Sequence, residues 1–158
     1  MFNQLEKINI AADHGGWELK EKIKNWLMNH PTYQNILLED FGTFNDRTSV
    51  DYPDFAAQVC KALKADTKSI GILVCGSGQG MAMGANKFNW IRAALVWSKE
   101  ISTLSRQHNN ANVLCLGGRV INHELALECV ETFLSTPFEG GRHEQRVNKL
   151  KSFKNTEY

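Results

Sequence analysis

The chain has no strong charge of either sign, no long apolar run and no paired cysteines, and each lack closes off a class of function. Its 158 residues carry 18 Lys and Arg against 17 Asp and Glu, a formal net charge of +1. Nothing therefore draws it as a whole towards nucleic acid or a membrane surface. No apolar stretch approaches the roughly 20 residues needed to cross a bilayer. The opening MFNQLEKINI lacks the basic region, apolar stretch and small-residue cleavage site of a secretory signal. The four cysteines, Cys60, Cys75, Cys115 and Cys129, are widely spaced with no C-x-x-C pair. That pattern fits reduced thiols better than a disulfide framework or a zinc site. Trp17, Trp26, Trp90 and Trp97 add apolar bulk without clustering as a stacking surface. The expectation is a cytoplasmic protein. With no repeat, low-complexity tract or linker, residues 1–158 read as a single domain with enough chain for a full core.

What is present is a regular alternation. KINIAAD (7–13) reads as a strand, and GGWELKEKIKNWLMNH follows with Trp17, Ile23, Trp26 and Leu27 near helical spacing, closed by Pro31. NILLEDF (35–41) is a second strand, 42–52 a polar loop, and DFAAQVCKALKA a helix entered at Pro53. SIGILVC (69–75) is apolar throughout, as a strand buried on both faces should be. A glycine loop and the helix MAMGANKF come next, then strands at 91–97 and 112–118 around the helix SKEISTLSRQHN. Helices near 122–135 and 142–152 finish the chain. Alternating strands and helices predict an α/β fold: a three-layer α/β/α Rossmann-like sandwich on a five-stranded parallel sheet with right-handed crossovers. Ligands in such folds collect at the carboxyl ends of the strands. Asp13, His14 and Gly15-Gly16, the 42–52 loop, Cys75 with its glycines, and Gly117-Gly118-Arg119 all follow strand ends.

The stretch LVCGSGQGM (73–81) carries the chemistry. Glycines at 76, 78 and 80 go beyond what a tight turn needs and suggest backbone amides brought close to an anion. Three familiar loops fail against it. A dinucleotide fingerprint from Gly76 needs glycine where Met81 stands, and should follow the first strand. No Gly-Lys-Ser/Thr follows for a nucleotide phosphate loop. Cys75 and Gln79 occupy the glycine positions of a hydrolase elbow around Ser77. A cysteine is more often a small buried hydrophobe than a reactive group, and Cys60, Cys115 and Cys129 read that way. Cys75 differs in standing last on its strand, beside amides that can stabilise a thiolate or an oxyanion. Asp13 and His14 are the other candidates that the strand-end rule picks out. By position alone His108 is as readily structural as functional, His143 has little to distinguish it, and His30 and His123 read as helix-end residues.

In order along the chain, AADHGG (11–16), DYP (51–53), CGSGQG then GANK (75–87), SRQHNNANVL (105–114), GGRV (117–120) and EGGRHEQRV (139–147) resemble ribose-5-phosphate isomerase type B and its galactose- and allose-6-phosphate isomerase relatives. The resemblance implies a metal-independent aldose–ketose isomerase without a cofactor, working as a homodimer with sites at the subunit interface. It implies Cys75 as the base between C1 and C2, and the backbone of Gly76, Ser77, Gly78, Gln79 and Gly80 as the holder of the enediolate. His108 would assist furanose opening, with Asp13 close by. His14, Tyr52 and Asn109 would contact the sugar or phosphate. Arg119, Arg142 and Arg146 would bind the phosphate, some from the partner, which the helix at 142–152 would reach. Arg142 and Arg146, at i and i+4, share a helix face behind Gly140-Gly141, although a solvated basic face would look the same. Some members carry a glutamate base where Met81 stands, so this chain sorts with the cysteine type. Ser77 replaces a threonine common in the family and keeps the hydroxyl. The competing readings are an isomerase of another phosphorylated aldose and a non-catalytic sugar-phosphate-binding subunit. A nucleotide-binding module is the weakest option.

Overall fold

A computed structural model describes residues 5–64 and 66–153. Its elements run β1 (Lys7–Ala12), α1 (Trp17–Asn29), β2 (Leu37–Asp40), α2 (Tyr52–Ala62), β3 (Ser69–Cys75), α3 (Gln79–Ala85), β4 (Ala93–Leu95), α4 (Lys99–Gln107), β5 (Val113–Gly117), α5 (His123–Ser135) and α6 (Arg142–Lys151). The strands form one parallel sheet in the order β2-β1-β3-β5-β4. Ala12 lies beside Val74, and Cys75 beside Gly117, so β1, β3 and β5 end together. Strand order turns outward in both directions from β1 and β3, and the crevice at their carboxyl ends is the topological switch point. No helix among the described residues is long and apolar enough to cross a membrane.

Alternation along the strands builds two cores. Ile8, Ile10, Ala12, Ile70, Ile72 and Val74 face one layer with Leu19, Ile23 and Leu27 of α1 and Val130 and Phe133 of α5. Ala11, Leu73, Cys75, Val113 and Cys115 face the other, with Ala56, Val59 and Cys60 of α2 and Met81 and Ala85 of α3. Each Ile, Leu, Val, Phe or Met side chain among them contributes about 1.5–3 kcal/mol on leaving water. A period of two on strands sandwiched between helices makes the runs at 69–75 and 113–117 wholly buried.

The sequence expectations differ from the structure mainly at element ends. β4 keeps only three residues of the expected seven, because it is the half-exposed edge strand. α3 begins at Gln79, two residues before Met81, so the last part of the glycine stretch is already helical. α2 starts at Tyr52 with Pro53 inside its first turn, where a missing N–H costs nothing.

Candidate active site

The switch-point crevice is assembled by the ends of β1, β3 and β5. Cys75 is 4% exposed, and its Sγ accepts the Gly78 N–H at 3.2 Å. That contact requires the backbone to fold back sharply, and Gly78 adopts φ +78°, a left-handed conformation. A Cβ at Gly78 would also come within 2.6 Å of Leu95. Gly80 is needed for another reason: a Cβ there would stand 2.6 Å from the ring of Tyr52. The Tyr52 ring thus covers the first turn of α3 at Gly80, with the residue 38% exposed. The first helical N–H bond runs from Ala82 to the Gly78 carbonyl, which leaves the Gln79 and Gly80 amides without a helical acceptor.

Asp13 is buried at the end of β1, and its Oδ1 accepts the Gly16 N–H at 3.0 Å. The neighbouring His14 accepts the Val50 N–H on Nδ1 at 3.2 Å. Its ring proton therefore sits on Nε2, which is left as a donor. Arg119 follows β5, and its guanidinium lies over Gly15 and Gly76, with Cζ 3.2 Å from where a Gly15 Cβ would be. Backbone bonds from Gly118 N to Cys75 O (2.8 Å) and Arg119 N to Gly76 O (3.0 Å) tie that turn to the cysteine loop.

A buried cation not anticipated from the sequence supports the loop that meets His14. Lys20 of α1 has no exposed surface; its Nζ donates to both Asp40 oxygens at 2.7 Å and to the Thr43 carbonyl at 2.8 Å. Lys24 adds a second contact to Asp40 at 2.7 Å. Burial would raise the Asp40 carboxyl, but the two ammoniums and the Gly42 N–H outweigh it and hold it below the usual carboxylate range. The signal was available: Lys20 falls on the apolar stripe with Leu19, Ile23 and Leu27.

The remaining candidates gather elsewhere. α4 returns from the carboxyl end of β4 to the amino end of β5, so His108 and Asn109 lie at the opposite sheet edge from Cys75. β5, with five residues at ~3.3 Å each, separates them by roughly 15 Å or more. His108 stacks on His143 of α6, with ring centroids 4.2 Å apart and planes 7° from parallel. His143 is buried and lies 3.5 Å from the Glu139 carboxylate. Burial, then His108 and Arg142, push its imidazole below its ordinary value against the opposing pull of the Glu139 carboxylate. Arg142 and Arg146 are exposed on the same helix, which starts at Gly141 with φ +55°. The ligand atoms of His108, Glu139 and His143 lie within 4.8 Å of one another, a spacing a cation could bridge. The positive charges of Arg142 and Arg146 act on the same imidazole and favour an anion there instead.

The other cysteines behave as buried hydrophobes. Desolvation raises the Cys60 thiol to about 12 and Cys129 to about 11, and pushes Cys115 well up. Met81, fully buried, packs in the same cluster as Cys75. A cavity of about 530 Å³ lies not at the cysteine but at the amino edge, lined by Lys87, Phe88, Arg92, Asn109, Leu150 and Phe153.

A parallel α/β sheet with a cysteine and a glycine loop at its switch point, flanked by Asp, His and Arg, defines the class. The ribose/galactose isomerase family model matches residues 8–150, and the chain belongs to that family of isomerases. It is 42% identical over 143 residues to the probable ribose-5-phosphate isomerase B of Mycoplasma pneumoniae, covering 90% of this chain and 91% of the relative. The crystal structure of a ribose 5-phosphate isomerase of Thermotoga maritima superposes with a TM-score of 0.87 at 49% identity, covering 93% of this chain and 98% of that one. The Mycoplasma genitalium ribose-5-phosphate isomerase B, solved with bound ribulose-5-phosphate, gives 0.85 at 41% identity over 92% and 93% of the two chains.

Proposed function

We propose that the protein interconverts D-ribose 5-phosphate and D-ribulose 5-phosphate through a cis-enediolate, with Cys75 as the base. The observation that carries this reading is the Gly78 N–H aimed at Cys75 Sγ from a loop at the β1/β3 switch point. Such a contact strengthens when the sulfur is charged. The thiolate takes the proton from C2 of the open-chain aldose, the electron pair forms the C1–C2 double bond, and negative charge develops on O1. The O2 proton passes to O1, and the same sulfur returns its proton to C1, leaving a ketone at C2. The step is redox-neutral and needs no cofactor. The unpaired amides of the glycine stretch are suited to the developing oxyanion, a contribution worth about 2.7–4 kcal/mol per donor in well-studied sites.

His108 assists opening of the furanose, Asp13 and His14 orient the sugar with Tyr52 and Asn109, and Arg119, Arg142 and Arg146 hold the phosphate. One copy of the chain keeps Cys75 and His108 at opposite sheet edges, so the reading includes a homodimer. In it the amino edge of one subunit, with α6, closes the carboxyl-edge crevice of the other. The relative with bound ribulose-5-phosphate supports the choice of substrate.

The test is steady-state isomerisation of ribose, allose, galactose and tetrose phosphates by wild type and Cys75→Ala. The expected result is preference for the pentose, with kcat lowered by several orders of magnitude in the variant while substrate still binds. Near-normal turnover by Cys75→Ala would remove the cysteine from the role of base.

A further inference from the structure

Two guanidiniums close on the turn that carries His108. Arg92, half-buried just before β4, donates from Nε to the Asn109 carbonyl at 3.1 Å and to the Asn110 carbonyl at 2.8 Å. Arg106, 3% exposed on α4, donates from one terminal nitrogen to Asn110 Oδ1 at 3.0 Å and to the Ala111 carbonyl, and from Nε to Thr136 O at 3.3 Å. Three successive carbonyls, 109 to 111, are thus held from two sides. Asn110 between them has φ +47°, a left-handed conformation that a non-glycine residue adopts at some cost.

The backbone of Arg92 is locked to the same segment. Its N–H donates to Asn112 Oδ1 at 2.7 Å, and its carbonyl accepts from Asn112 N at 3.1 Å and Val113 N at 3.3 Å. The Arg106 guanidinium also lies 5.5 Å over the ring of Phe133 in the core. Burial lowers the pKa of both side chains, that of Arg106 to about 10 with a further push from the charge of Arg92. Both still carry a proton near neutrality. Two like charges at one short turn, Arg106 buried and Arg92 half-buried, oppose each other, and a fold that only needed to end α4 could do so with neutral donors.

We propose that Arg92 and Arg106 are positioning residues that clamp the turn after α4, fixing the His108 imidazole where it must meet the ring oxygen of the sugar. This rests on the ring-opening role given to His108 above. The clamp predicts an effect on ring opening that is separable from proton transfer. Ribulose 5-phosphate is acyclic, because closure from its C2 carbonyl to a furanose would require the oxygen that carries the phosphate. Exchange of its C1 hydrogen with solvent deuterium therefore reports the Cys75 step without ring opening.

The experiment uses the full chain as Arg92→Met, Arg92→Lys and Arg106→Met, with mass in solution checked for each. In the free protein, the His108 and His143 imidazole resonances, coupled by their stack, shift in Arg92→Met while core methyls such as those of Ile10 and Ile72 stay in place. With substrate, kcat/KM for ribose 5-phosphate falls at least about tenfold, and C1 exchange of ribulose 5-phosphate falls less than about threefold. Arg92→Lys, which keeps the cation but not the fork, recovers part of the loss. Unmoved imidazole resonances, or two rates falling equally in a folded variant, would overturn the clamp. A wild-type chain inert on ribose 5-phosphate would refute the functional reading instead, and the resonances would still decide the clamp. Should Arg106→Met fail to fold, the half-buried Arg92 carries the test.

Discussion

Lys20 shows how one buried charge can serve a site it does not touch. Its ammonium joins Asp40 at the end of β2 to the Thr43 carbonyl, and the same loop continues to Val50, which fixes the tautomer of His14. Removing Lys20 leaves the partly buried Asp40 with Lys24 as its remaining cation, so the cost falls below the roughly 3–5 kcal/mol of a fully stranded charge. Lys20→Met is still expected to lower Tm even though methionine fits the space. The pH dependence follows from Asp40. Its carboxyl is held below its unfolded value, near 3.9. It therefore adds stability that is fully present above that pH and is lost as pH falls through the lower folded value. Acid unfolding followed by circular dichroism should be shallower below about pH 4 in Asp40→Asn than in wild type. Equal slopes would mean that Asp40 is not one of the groups driving acid unfolding.

At the scale of elements, α6 is the piece whose function depends most on its end. Gly140 and Gly141 both take positive φ, and the helix they lead into exposes Arg142 and Arg146 while its buried His143 stacks on His108. Arg142→Ala should raise KM for the phosphorylated sugar with little change in kcat, since it removes a contact equally present in ground and transition states. Calorimetric titration showing unchanged affinity would take Arg142 out of the phosphate clamp. The alternation of elements was legible because buried strands read as unbroken apolar runs and the helices between them as periodic ones. Cys75 was legible because a strand end, a thiol and three glycines coincide. Lys20 left only its place on the apolar stripe of α1, and Arg92 and Arg106 were not legible, because an arginine reads as surface until its carbonyl partners are known. Those partners lie up to 30 positions away in the chain. His143 does not stand out in the sequence for a similar reason: only the stack on His108 distinguishes it.

In the whole molecule, the motifs are divided between the two edges of the sheet. Motifs that run in order along the sequence suggest one pocket, yet in a parallel sheet every return helix carries its last residue to the amino edge. His108, at the end of α4, follows that rule. The cavity of about 530 Å³ beside Asn109, with Phe153 and Leu150 exposed on its rim, lies on this same edge. A second copy seated there would bring its Cys75 crevice to His108 and α6. In the proposed homodimer neither subunit carries a complete site. The most direct measurement mixes two weakly active variants, Cys75→Ala and His108→Ala, after joint unfolding and refolding. In the mixed dimer one site has lost both groups, while the other combines an intact cysteine from one chain with an intact histidine from its partner. Random pairing should then restore about a quarter of wild-type isomerase activity. If mixed dimers form and activity stays at the level of the separate variants, the site is not shared between subunits and the account is wrong.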